Sequence, residues 1–498
     1  MAVSGGGSVL VVDVGTSGVR AAVVRPDGSV DHVRHRPALP ATPSPGLVEI
    51  DAAGIASTVL ELARDTLAAA GPVSGVGIAN QRATTIVWDR ATGEPVGPGI
   101  GWQDLRTVGT CLAMRADGFR FPPNASATKL AAILDTVDPD RSRSGEELCF
   151  GTVDTWVAWT LSGGPAGGAL HVTDATNAAV TWMLRPDSLE WDERVLAALG
   201  IPAGMLPEVV DSTGAVGEAV ALPGSPAICG IAGDQQASLI GQGCTRPGLA
   251  KATFGTGGML DLCTGTTGPD GFDRDVGGTF PIVAWRRDKS PVWGVEAMML
   301  SAGSCVEWLR DDLGVLSSSD ESAAVAASCA DTGDLWFVPA LLGLGTPVWD
   351  FGARGALVGI TRGTGRPELV RAVLEGVAHR GADLLAAAEL DSGLSVGALR
   401  VDGGMSTNPV FIQALADATG RPVEVSSERE ATTVGAGYLA GMATGTWRDP
   451  DDVAAAYRPA RTIEPQLDPA VVERRRERWA DARRRAERTI PELSEIDL

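Results

Sequence analysis

The chain contains no run approaching ~20 consecutive apolar residues, so no segment is expected to span a membrane. Its first residues, MAVSGGGS, carry neither a basic stretch nor an apolar core, so no secretory leader is expected and the location expected is cytoplasmic. Basic charge is scarce. Lys and Arg number 41 against 62 Asp and Glu, a formal net charge of −21. With no basic face to neutralise phosphates, nucleic acid is excluded as a partner. The arginine-rich piece Arg474–Arg488 is interleaved with Glu, Asp and Ala and is expected to be a solvated terminal helix. Seven cysteines (111, 149, 229, 244, 263, 305 and 329) form no CxxC pair and no Cys/His cluster, which excludes the common zinc spacings. An odd count with several members in apolar strands fits reduced, buried thiols. No GxxxxGK[ST] phosphate loop occurs. Asp350-Phe351-Gly352 spells the protein-kinase DFG triplet, but no HRD loop precedes it. Gly393-Leu394-Ser395-Val396-Gly397 fits the hydrolase GxSxG pattern. However, a helix precedes it and a strand follows, the reverse of a nucleophile elbow. The histidines, His32, His35, His171 and His379, all come before Ser395.

At 498 residues the chain exceeds one core, and two to three domains are expected. The stretch from Ile228 to Cys263 organises the rest. A short apolar run delivers Asp234 at a Gly-Asp-Gln-Gln corner, and a small-residue helix start follows over Ala237–Gly243. The strand Leu249–Phe254 then runs into Gly255-Thr256-Gly257-Gly258. Backbone N–H groups in such a turn bind anions, and glycine permits close approach. An earlier copy exists. Val9–Val12, the turn Gly15-Thr16-Ser17-Gly18, and Ala21–Val24 form the same strand–turn–strand unit, about 240 residues upstream. A unit repeated at the start of each half suggests two related domains facing each other.

Between these landmarks strands and helices alternate, which favours an α/β fold with mixed sheets. Helices are expected at Ile55–Ala69, Thr128–Asp135, Thr152–Leu161, Gly303–Leu313 and Ala431–Ala443. Arg366–Leu390 reads as a long amphipathic helix with an apolar stripe through Val370, Val373, Leu374, Val377, Leu384 and Leu385. Asn408 and Pro409 open a helix that Gly420 closes, the expected N-cap, N1 and C′ punctuation. Pro37–Gly46 is expected to be a loop.

Ten motifs, in order along nearly the whole chain, resemble the FGGY family of carbohydrate kinases and within it the glycerol kinase branch. They are VVDVGTSGVRAAVV, GIANQRATTIVWD, GWQDLRT, GTVDTWVAW, HVTDATNAA, GIAGDQQASLIGQG, ATFGTGG, VPALLGLGTPVWD, RVDGGMSTN and EATTVGAGYLAG. The resemblance implies two actin-like, ribonuclease H-type domains with the active site in the cleft between them. The division expected is residues 1–243, carrying substrate and base, and residues 244–498, carrying nucleotide. It implies ATP-dependent phosphorylation of a hydroxyl on a small polyol or sugar, with Mg2+ as cofactor, and a homo-oligomer as a possible assembly.

Residue by residue, the resemblance makes Asp234 the general base that accepts the substrate hydroxyl's proton. It makes Asp13, with Asp234, the holder of magnesium, a metal suited to hard oxygen ligands. Gly15, Thr16, Ser17 and Arg20 would face the transferring phosphate, and Gly255 and Thr256 would hold phosphates from the other half. Gly303, Glu307, Gly404 and Asn408 fall on adenosine-contacting positions; Glu307 replaces a glutamine, and Asn408 also serves as the N-cap. Arg82, Trp102, Asp234 and Gln235 keep the substrate-site pattern. Three positions depart from it. The motif Asn-Gln-Arg-Glu ends here in Ala83, a pocket tyrosine falls on Asn124, and a pocket phenylalanine falls on Met259. Loss of a carboxylate and two aromatic walls changes polarity and volume, so the substrate expected is one other than glycerol. A glycerol kinase with an altered pocket and an actin-like nucleotide-binding regulator are the alternatives.

Overall fold

The computed structural model describes residues 7–427 and 430–496. Two mixed sheets dominate it. The first is built from β1 (Val9–Val14), β2 (Gly18–Val24), β3 (Val30–Pro37), β4 (Gly75–Asn80), β5 (Thr213–Glu218) and β6 (Ala227–Gly233), in the spatial order β5-β6-β4-β1-β2-β3. The second is built from β7 (Ala250–Phe254), β8 (Gly258–Gly265), β9 (Phe280–Arg287), β10 (Ser290–Met299), β11 (Leu399–Asp402), β12 (Val423–Ser426) and β13 (Pro459–Ile463). Its order is β9-β10-β8-β7-β11-β12-β13. The pairing senses repeat. β1 is antiparallel to β2 and parallel to β4, and β7 is antiparallel to β8 and parallel to β11. The two Gly-Thr hairpins therefore occupy the same place in two sheets of the same topology, with β9 an extra edge strand on the second.

The helices that matter are α1 (Ala52–Ala70), α2 (Ser126–Val137), α3 (Val153–Leu161), α4 (Asp234–Gly241), α5 (Gly303–Asp311), α6 (Arg366–Ser392), α7 (Pro409–Thr419), α8 (Ala431–Thr444) and α9 (Pro469–Ala486). One face of the first sheet packs on α1 and α3, through Leu10, Val12, Val59, Leu62, Val153 and Val157. Its other face packs on α8, far along the chain, through Val9, Val11, Val434, Ala436 and Leu439. A sheet covered on both faces reads as a continuous apolar run, as VLVVDV does in β1. The second sheet packs one face on α5, α6 and α7.

Helices α4 and α8 lie against each other between the two sheets. Their backbones nearly touch. A Cβ on Gly435 would stand 1.7 Å from the Ala237 carbonyl oxygen, and one on Gly241 would stand 1.9 Å from that of Ala431. Only glycine lets two helix backbones approach so closely. Asp234, the first residue of α4, is thus held by a contact between the two halves of the chain.

Two elements carried no sequence expectation, and two expectations change. Val30–Pro37 is an edge strand whose side chains face mostly outward, so it carries no apolar alternation to signal it. The β9–β10 hairpin closes on Asp288-Lys289, both in the left-handed region (φ 51 and 62), without the Asn-Gly or Asp-Gly signature of such turns. Helix α6 is buried nearly all round rather than along one stripe, and it encloses Glu375, His379, Arg380 and Asp383. Helix α9 is docked rather than solvated. Trp479 is fully buried, and Arg476 and Arg483 pair with Asp383 of α6. Among the described residues all seven cysteines are free thiols, and six of them are buried.

Candidate active site

The candidate site lies between the two sheets, at the start of α4 and the segment after β4, with one Gly-Thr turn on each sheet. Asp13 is the penultimate residue of β1 and is directly opposite Arg20 on β2. Arg20 Nη1 lies 3.2 Å from Asp13 Oδ2 and 2.5 Å from Glu430 Oε2 at the entry to α8. The Thr433 hydroxyl also reaches Asp13, at 3.5 Å. In the turn itself the Gly15 N–H donates to the Gly18 carbonyl, and Thr16 Oγ1 accepts the Trp102 indole N–H at 3.1 Å. A Cβ on Gly15 or Gly255 would meet nothing closer than 3.7 Å, so both backbones stand open to a ligand's approach.

Asp234 is backed by the α4 N-terminus, and its Oδ1 accepts the Gln235 N–H at 2.7 Å. Arg82 holds it from the other side. Arg82 Nε lies 3.5 Å from Asp234 Oδ1, and Nη2 lies 2.7 Å from Glu296 Oε2 on β10 and 3.9 Å from Met259 Sδ on β8. The guanidinium therefore bridges the two sheets across the cleft. Ala83, next along, is buried with φ 60, and its carbonyl accepts from the Ser126 hydroxyl at the start of α2. Asn124 sits in the half-buried turn before α2.

The second turn is braced by α5. The Ala302 N–H donates to the Thr256 carbonyl and the Gly303 N–H to the Gly255 carbonyl, both at 2.8 Å. Glu307 is one turn on, exposed on α5. Gly404 opens a 3-10 turn after β11, with open space where its side chain would be. Asn408 caps α7. Its Oδ1 accepts from Val410 and Phe411 N–H groups, and its Nδ2 donates to Ser322 Oγ at 3.0 Å.

Comparison with known proteins decides the family. Residues 8–241 match the N-terminal domain of the FGGY family of carbohydrate kinases, and residues 250–444 match its C-terminal domain. The chain belongs to the FGGY family of carbohydrate kinases. This FGGY kinase is 41% identical over 496 residues to the glycerol kinase of Carboxydothermus hydrogenoformans, covering 96% of this chain and 98% of that one. It is 42% identical to the glycerol kinase of Alkalilimnicola ehrlichii, with the same coverage. Among solved structures, Plasmodium falciparum glycerol kinase with ADP superposes with a TM-score of 0.89 at 27% identity, covering 99% of both chains. A xylulose kinase from Lactobacillus acidophilus shares the fold, with a TM-score of 0.83 at 21% identity, covering 95% of this chain and 96% of that one. No helix among the described residues of this FGGY kinase is long and apolar enough to cross a membrane.

Burial sets the electrostatics of the kinase's cleft. It pushes the Asp13 carboxyl up to about 6, Arg20 opposes the rise, and the negative charge of Asp234 adds to it. Burial raises Asp234 as well, with Arg82 opposing. The charge of Asp234 raises Asp13, and such a pair of buried carboxyls is a donor set that a hard divalent cation relieves. Among the described residues no three His, Cys, Asp or Glu side chains gather as a metal site. An ion held here would keep places for water and phosphate oxygens, as Mg2+ does.

The sequence reading missed several members of the site. Glu296, Lys251 and Asp261 line the cleft face of the second sheet, and Lys251 and Asp261 are fully buried. A lone lysine inside the apolar strand Leu249–Phe254 was the available signal. Lys129, also fully buried on α2, donates to the carbonyls of Gly101 and Trp102 at 2.8 Å and so fixes the Trp102 backbone. Burial pushes its ammonium down to about 7.

Proposed function

We propose that this FGGY kinase transfers the γ-phosphoryl group of ATP to a hydroxyl of a small polyol or sugar, with Asp234 as general base. The observation that carries the reading is the position of Asp234. It opens a helix wedged between two sheets, beside Arg82, with a glycine turn from each half open to ligand. Phosphoryl transfer requires positioning, charge neutralisation and an acceptor for the nucleophile's proton. Arg82, Trp102 and Gln235 orient the substrate, and Asp234 takes the proton of the attacking hydroxyl. Gly15, Thr16, Ser17 and Arg20 receive the transferring phosphate, and Gly255, Thr256, Gly303, Glu307 and Gly404 take the rest of the nucleotide. Asn408 serves the nucleotide through the cap that orients α7. Asp13 and Asp234 would hold magnesium, which when bound neutralises phosphate oxygens. Residues 1–243 thus supply substrate and base, and residues 244–498 supply nucleotide contacts.

The favoured substrate is one other than glycerol. Ala83, Asn124 and Met259 remove a carboxylate and two aromatic walls, and each hydrogen bond lost to a glycerol hydroxyl costs on the order of 0.5–1.5 kcal/mol. The test is coupled ADP release with ATP, magnesium and a panel of glycerol, erythritol, xylitol, dihydroxyacetone, D-ribulose and D-xylulose. Strong stimulation over basal ATP hydrolysis by a four- or five-carbon compound is expected. Preference for glycerol over every larger compound overturns the specificity, and no stimulation by any of them overturns the activity.

A further inference from the structure

The second sheet has two unlike faces. Ala250, Ala252 and Phe254 of β7, Leu260 and Leu262 of β8, and Val295, Ala297 and Met299 of β10 all enter the apolar core. The alternate positions face α4 and the cleft, and there the strands carry charge. Lys251 lies directly opposite Asp261, and Asp261 directly opposite Glu296, so three ionisable side chains form a row across three strands. They are 0%, 0% and 5% exposed. Burying charges costs several kcal/mol per ion, and an apolar pair of similar volume often serves stability as well or better. Folding alone therefore gives no reason for the row.

The row holds the two substrate-facing side chains. Glu296 grips Arg82, as described above. Lys251 Nζ lies 2.7 Å from Asp261 Oδ2 and donates to Gln235 Oε1 at 2.6 Å. An ammonium can only donate, so it accepts only one orientation of the Gln235 amide, with oxygen inward. The amide NH2 group, with its two donors, is then left for the cleft, next to Asp234.

We propose that Lys251, seated on Asp261, is a positioning residue that fixes Gln235 as a hydrogen-bond donor to the substrate. The inference rests on the kinase reading above. Its chemical consequence is a division of roles between neighbours. Asp234 accepts the proton of the reacting hydroxyl, while Gln235 and Arg82 donate to oxygens beside it. The site thus selects compounds with an oxygen acceptor, hydroxyl or carbonyl, next to the reacting carbon. It tolerates a carbonyl there because Ala83 asks for no hydroxyl proton.

The test replaces the ion pair with apolar side chains, Lys251→Met with Asp261→Leu, so that neither partner of the pair is left without the other. It is assayed with the best substrate of the panel and with ATP. KM for the phosphate acceptor should rise about tenfold, the loss of about one hydrogen bond, with kcat within about threefold and KM for ATP unchanged. Gln235→Ala should raise KM equally, and combining all three substitutions should add nothing further. Unchanged KM, effects that multiply, or equal losses in kcat and in KM for ATP would each overturn the proposal. Should the double variant not fold, Lys251→Arg, which keeps a donor, is compared with Lys251→Gln, whose amide fits either way round. Wild-type KM in the first and a raised KM in the second support the proposal, and equal values overturn it. A wild-type protein with no acceptor-dependent turnover removes the kinase reading and this inference together. An active wild type with unaltered variants removes this inference alone.

Discussion

Replacing Gly435 with alanine should damage catalysis without touching any group in the site. The added Cβ would stand 1.7 Å from the Ala237 carbonyl oxygen, whereas real contacts of this kind do not fall below 3.0 Å. Helices α4 and α8 must separate by roughly 1.3 Å to accommodate it. Both are packed against sheets on their far sides, so the separation strains the core, at a cost of about 1–3 kcal/mol of stability. Ala237 is one turn from Asp234, so the carboxylate moves with the helix. A misplacement of about 1 Å at a reacting group costs on the order of 10²-fold in rate. The expected result is a kcat lower by about that factor and a melting temperature lower by a few degrees. Gly397→Ala is the control, because a Cβ there meets nothing within 4 Å. Turnover within twofold of wild type and an unchanged melting temperature in the Gly435 variant would refute the account of the helix contact.

Other consequences follow from burial and from the two-sheet design. His379 is 3% exposed and stacks on Trp479 at 5.3 Å; burial, aided by Arg476 and Arg475, pushes its imidazole down to about 3. Its unfolded value is 6.5, so the unfolded chain binds the proton first. Stability from this group is complete above pH 6.5 and is lost as pH falls toward 3, at ~1.4 kcal/mol per pH unit. His379→Phe keeps a stacked ring and removes the titration. Its denaturation midpoint should fall less steeply than that of wild type from pH 6.5 to 4, and identical slopes would contradict the assignment. Substrate and nucleotide together should draw the two sheets closer and expel water from the cleft. Small-angle scattering should record a smaller radius of gyration with an unhydrolysable ATP analogue, magnesium and acceptor at saturation, and an unchanged radius counts against closure.

The sequence made the two hairpins legible because each compresses its signal into one place: an apolar strand, a glycine turn and a second strand. Asp234 was legible for the same reason, as a carboxylate at a strand end before a small-residue helix. The α7 cap was legible because Asn408, Pro409 and Gly420 are local punctuation. What escaped were interactions that join distant strands. Lys251, Asp261 and Glu296 become a row only through the register of β7, β8 and β10, and β10 belongs to a hairpin whose turn carries no glycine. The docking of α9 escaped because its arginines look solvated in sequence. Only the buried Asp383 on α6 gives Arg476 and Arg483 a partner. The place of α8 on the first sheet, some 420 residues from β1, is a long-range contact with no local signature, though the small residues of Gly435 and its neighbours permit it.

The most direct test of the central claim is the turnover of Asp234→Asn. The substitution keeps the shape and the hydrogen bond from the Gln235 N–H and removes the proton acceptor. Acceptor-dependent ADP release should fall by roughly 10²–10⁴-fold in kcat, the range for loss of a general base, while the folded protein still binds nucleotide. Near-full turnover in this variant would contradict the assignment of Asp234 as the base.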